Sequence, residues 1–184
     1  MKNNSIIFVL FVLFAFLSCK EDVLPKPKAQ LRLEYPKVER KKLETEKFEF
    51  EYNTIARLKD KRETSLTLDY PSMKGSIFLT YKDVDGNLDK LLTDAQKLSY
   101  EHVVKADGIE GDSFVDEENK VFGMIYEISG NAASQSQFYV TDSTEHFVTG
   151  SLYFYVKPNY DSIYPAAQYL QKDIRKIMET LRWK

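Results

Sequence analysis

A chain of 184 residues with 26 basic and 28 acidic side chains has a formal charge of -2 at neutral pH, which excludes the basic footprint of a nucleic-acid binder. Its single cysteine excludes an intrachain disulfide and cysteine-rich metal sites, and two histidines leave little room for imidazole chemistry. Twelve Tyr and twelve Phe beside only seven Gly favour sheet.

At the amino terminus, Lys2 precedes an apolar run from Ile6 to Leu17 that ends at Ser18 and Cys19. This run of about a dozen residues falls short of the roughly 20 that cross a bilayer as a helix, so residues 1–18 read as a signal peptide. Phe16-Leu17-Ser18-Cys19 resembles a bacterial lipobox, in which the cysteine is acylated and becomes the new amino terminus. Ordinary signal cleavage at a nearby small residue is the alternative. Loss of Lys2 with the signal leaves 25 basic against 28 acidic residues, a mature charge of -3.

Residues 19–47 read as a lipid-anchored tether followed by a first strand. Lys20 to Lys28 combines charge with Pro25 and Pro27 and has no apolar period. Lys20-Glu21-Asp22 also resembles the basic-then-acidic signals that send some lipoproteins to the cell surface, against the plainer reading of a solvated linker. Leu31 to Tyr35 alternates as a strand does, until Pro36 and the charged stretch to Lys47 interrupt it.

Residues 48–184 read as a single α+β domain. Phe48, Phe50 and Tyr52 alternate with Glu49 and Glu51, and a hairpin is predicted from Leu66 to Tyr81 around a turn at 71–75. Apolar residues from Leu88 to Val103 recur at helical spacing, which predicts a helix running to near Ala106. Strands are predicted at 112–116, 121–128, 136–142 and 146–156, with short turns at 117–120 and 142–145. Asn159 and Asp161 open a last helix whose stripe of Ala167, Leu170, Ile174, Ile177, Met178 and Leu181 must lie on the sheet. The expectation is an antiparallel sheet covered by two main helices, in an order resembling PsbP- and Mog1-like domains.

Motifs for catalysis are sparse: there is no phosphate loop, no His-Glu-x-x-His and no Gly-x-Ser-x-Gly. His102 falls on the helical stripe and His146 on the inward phase of a strand, positions that suit core or boundary histidines. A hydrolase can be assembled only by pairing Ser134 or Ser136 with His146 and Asp142, whose nearness in sequence is poor evidence for a triad. Glu110, Asp112 and Asp116 to Glu118 offer oxygens to calcium without the spacing of a calcium loop. No catalytic residue, metal site or cofactor is therefore assigned. Small, amide-rich residues from Ser129 to Phe138 permit close approach of another chain, making Asn131, Ser134, Gln135 and Gln137 candidate partner-binding residues; a polar hairpin is the alternative. Tyr153 and Tyr155 are either an exposed aromatic pair or lie under the last helix.

The chain resembles the GldD family of gliding-motility lipoproteins of the Bacteroidota. The resemblance is carried by Cys19, Pro25 to Lys28 and Leu31-Arg32-Leu33, then by segments 48–52, 102–107, 130–134, 138–143, 150–156, 177–181 and 183–184. It implies a non-enzymatic assembly or structural part of the gliding and type IX secretion machinery that exports adhesins. Its partners would be other envelope proteins and, through the lipid on Cys19, the inner or outer membrane, with the domain facing the periplasm. A lipid-anchored binding module for a small molecule or peptide is the alternative; it would need a concave aromatic pocket between sheet and helix.

Overall fold

A computed structural model describes residue 35 and residues 37–101, 104–157 and 159–184. Cys19, the tether, the strand predicted at Leu31 to Tyr35 in all but its last residue, and His102 lie outside these residues.

The architecture is α+β, with two antiparallel sheets and two helices. A three-stranded sheet has the order β1-β2-β10, formed by β1 (Arg40–Glu44), β2 (Phe48–Asn53) and β10 (Arg182–Trp183). The larger sheet has the order β3-β4-β5-β9-β8-β7-β6. Its strands are β3 (Arg57–Lys59), β4 (Ser65–Tyr70), β5 (Gly75–Asp83), β6 (Ala106–Asp116), β7 (Val121–Gly130), β8 (Ser134–Thr141) and β9 (His146–Phe154). The helices are α1 (Leu88–Tyr100) and α2 (Tyr160–Thr180).

The hairpin of β4 and β5 turns at Pro71–Met73, a single 3-10 turn closed by Lys74 in the left-handed region. From β5 the chain must reach β6, the far edge of the sheet, while β9, β8 and β7 occupy the space between. That is four strand spacings, about 19 Å. The thirteen residues of α1 span about 20 Å, so the helix is as long as the crossing requires.

The two faces of the large sheet are covered differently. On one face, Leu68, Ile77, Val140, Val148 and Leu152 pack with Leu170, Ile174, Ile177 and Met178 of α2 and with Phe48 and Phe50 of the small sheet. On the other, Leu91 and Ala95 of α1 pack on Tyr126, Tyr139 and Phe147.

Three expectations are corrected. The charged stretch after Pro36 contains a strand: Arg40–Glu44 pairs with β2, with Leu43 opposite Phe50. Only Leu43 of this strand is buried, which is why its sequence carries no alternating signal. The first helix stops at Tyr100 instead of near Ala106, and the residues from Ala106 begin β6. Near and beyond the helix end the apolar residues reflect no core, since Leu98 in its last turn and Val104 after it are exposed.

Gly123 shows how tightly the large sheet is set, because a Cβ there would strike the Tyr139 carbonyl oxygen on β8. Gly123→Ala is predicted to destabilise the domain by about 1–3 kcal/mol, read as a lower denaturant midpoint at unchanged slope.

Candidate functional site

The amide-rich stretch forms the end of β7, a short turn and the start of β8. Gly130, at φ +92, reverses the chain beside the Asp107 backbone, and Ala133 at the turn is exposed. The register with β9 shifts between Ser134 and Ser136, and this irregularity breaks the alternation of faces. Every residue of β8 is buried, because the strand lies between β9 and β7 and both faces of the sheet are covered.

The polar side chains here bond within the domain. Ser134 Oγ donates to the Leu152 carbonyl at 3.0 Å and Ser136 Oγ to the Tyr126 carbonyl at 3.0 Å. Gln135 Nε2 donates to the Ala132 carbonyl at 3.0 Å, and Gln171 Nε2 on α2 donates to the Gln135 carbonyl at 3.2 Å. Gln137 Oε1 accepts from Ser99 Oγ on α1 at 3.2 Å. Of the four residues expected to meet a partner, only Asn131 is exposed, and its Oδ1 accepts the Tyr160 N–H at the start of α2 at 2.9 Å. Gln135 and Gln137 therefore join the sheet to α2 and α1, Ser134 bonds within the sheet, and all three are buried.

The serine, histidine and aspartate considered for a triad do not converge. Ser134 pairs with Tyr153 and Ser136 with Leu152, at the opposite end of β9 from His146, about 20 Å away at the rise of a strand. Asp142 Oδ1 accepts the backbone N–H groups of Thr144, Glu145 and His146 at 2.8–3.0 Å, so it shapes the turn. Although burial alone would raise it, these bonds hold the Asp142 carboxyl below its ordinary pKa. The acidic residues weighed for calcium are similarly engaged. Asp116 accepts from the Asn119 N–H and side-chain amide, Asp112 pairs with Arg175 at 2.8 Å, and no group of three or more potential ligands is present among the described residues.

Three polar clusters went unnoticed in the sequence because each joins residues far apart in the chain. His146 Nδ1 lies 2.8 Å from the Tyr81 hydroxyl, which donates to Asp83, and its ring stacks on Trp183 with centroids 5.1 Å apart. The cluster joins β5 and β9 to β10. Asp173, buried on α2, accepts from Arg40 Nη2 at 3.0 Å and Asn53 Nδ2 at 2.9 Å, tying β1 and β2 to the helix. Burial raises the pKa of this carboxyl despite the guanidinium beside it.

The third cluster answers the question of Tyr153 and Tyr155. Both lie on the face of α1, with Tyr153 at 5.9 Å from the Phe78 ring. Tyr155 is 58% exposed, and its hydroxyl donates to the buried Asp69 at 2.7 Å. Asp69 also pairs with Lys59 at 2.6 Å and accepts from Ser76 at 2.9 Å. Burial opposes its charge, yet the bonds from Lys59, Tyr155 and Ser76 prevail and lower its pKa.

Fold and site together define an α+β domain of two sheets and two helices, with its polar groups gathered into locks between elements. Comparison with curated proteins finds no match. The model of the family described as gliding motility lipoprotein GldD matches residues 20–183, and the chain belongs to that family. Membership makes it a membrane-anchored envelope protein, and among the described residues no helix is long and apolar enough to cross a membrane.

Asp69 gives a pH prediction with a definite sign. A carboxylate whose folded pKa is lowered contributes stability above its unfolded pKa and loses it as pH falls through the folded value. Asp69→Asn should thus be less stable than the parent at neutral pH, with the difference fading in acid below the ordinary carboxylate range; denaturant melts across pH measure it.

Proposed function

We propose that this chain is a non-enzymatic assembly or structural component of the envelope machinery for gliding motility, associated with type IX secretion and adhesin export. The observation that carries the reading is the family match over residues 20–183, nearly the whole chain after Cys19. The site geometry supports it: Ser134, Ser136 and His146 are held by bonds within the domain, and the two serines on β8 sit beside the end of β9 farthest from His146.

A lipid on Cys19 supplies the anchor in this reading. Each buried methylene is worth about 0.8 kcal/mol, so several acyl chains hold the protein persistently to the inner or outer membrane. Confinement to a plane raises the effective concentration of the domain toward membrane-bound partners. The charged, proline-containing tether gives the periplasm-facing domain reach. A deep pocket between the large sheet and α2 for a small ligand is disfavoured, because Leu68, Ile77, Leu170 and Ile174 fill the centre of that space; a concavity of about 150 Å³ lies at its margin, between β6–β7 and Tyr160 and Tyr164 of α2.

Cys19→Ala in the native organism tests the reading. The expected result is loss of acyl labelling, release from the membrane fraction and loss of colony spreading, with the protein still present. Intact spreading without the lipid would contradict the anchored role.

A further inference from the structure

The two sheets have four edges, and three of them are blunted. β10 is two residues long, β3 is three residues long with Arg57 and Lys59, and β1 carries Arg40, Lys41 and Lys42 among its five. Short length, charged side chains (lysine above all), proline and bulges are the usual protections against unwanted strand pairing. β6 is long and its only charges are acidic. It is eleven residues long, without Lys, Arg or Pro, and its register shift is confined to Ala106 and Gly108. Among the described residues it pairs with β7 alone. An edge strand turns about half of its N–H and C=O groups outward, ready to pair with another chain.

The charge on this edge selects the occupant. Glu110, Asp112, Phe114 and Asp116 share one face, set by their register with Glu127, Ile125, Gly123 and Val121. Phe114 packs on the core and holds the strand in place. Asp112 is paired with Arg175, and Asp116 lies 3.8 Å from Arg182, whereas Glu110 and Asp107 are exposed and form no ion pair among the described residues. A second copy of β6 added antiparallel would set carboxylates against carboxylates, which is destabilising. Lys or Arg at alternate positions of an added strand would face the acidic phase of β6.

We propose that β6 is a docking edge that accepts, by strand addition, an extended segment of a partner polypeptide bearing Lys or Arg at alternate positions. This mode of recognition takes affinity from main-chain bonds and specificity from alternate side chains. The proposal goes beyond the motility reading and does not rest on it.

The test uses the intact chain in detergent and three synthetic peptides: one alternating Lys and Thr, one alternating Glu and Thr, and one with the lysines kept and the threonines replaced by proline. Binding is followed by fluorescence anisotropy and the binding site by amide hydrogen exchange. The Lys-Thr peptide is expected to bind and to slow exchange at alternate amides between Gly108 and Val115, while the other two do not. Asp107→Lys with Glu110→Lys should weaken binding by about tenfold or more, and Glu110→Gln by less. Failure of the Lys-Thr peptide to bind, equal binding of the proline peptide, protection elsewhere in the chain, or indifference to the charge reversals would each overturn the proposal. So would a dimer of the intact chain that protects the same amides without peptide.

Discussion

The apolar stripe of α2 is the constraint on which the rest of the domain depends. Leu170, Ile174, Ile177 and the capping Leu181 are all essentially inaccessible, and they lie where the large sheet and the small sheet face the same helix. Burying each such side chain contributes about 1.5–3 kcal/mol, so these four are worth up to about 6–12 kcal/mol. That is comparable to the whole net stability of a typical domain, about 5–15 kcal/mol. The helix also sets the position of the small sheet, because the chain passes from α2 through Leu181 directly into β10, which pairs with β2.

Polar contacts then fix the register that hydrophobic burial leaves loose. Asp173 holds Arg40 and Asn53, Thr180 Oγ1 accepts the Glu51 N–H at 3.0 Å, and His146 stacks on Trp183. Each contact joins elements distant in sequence, and each takes up a side chain that in another setting could bind or catalyse. The result is a domain whose ionisable groups maintain its shape. Such a body suits the structural role proposed above.

Much of the fold was legible in the sequence. The α2 stripe announced itself at helical spacing, and the β4–β5 hairpin followed from alternation around a turn with Pro71. What escaped the reading has physical causes. β1 buries only Leu43, and β3 and β10 are too short to show a period. β6 alternates acids with glycines and small residues, so its eleven residues looked like a strand only from Asp112 onward. The amide-rich stretch suggested a polar surface because its composition is polar; β8 lies between β9 and β7 with both faces of the sheet covered, and composition alone cannot report that cover. The family was readable because its resemblance resides in local strings of residues, whereas the three polar clusters depend on contacts across the chain.

The central claim, that the domain serves motility without chemistry of its own, is tested most directly by colony spreading of a strain carrying Ser134→Ala, Ser136→Ala and His146→Gln together. Each lost hydroxyl bond costs about 1 kcal/mol, so level and membrane attachment of the protein are checked alongside. Spreading equal to the parent is the predicted result. Loss of spreading by a protein that is folded, abundant and anchored would contradict the account and return these residues to an active role.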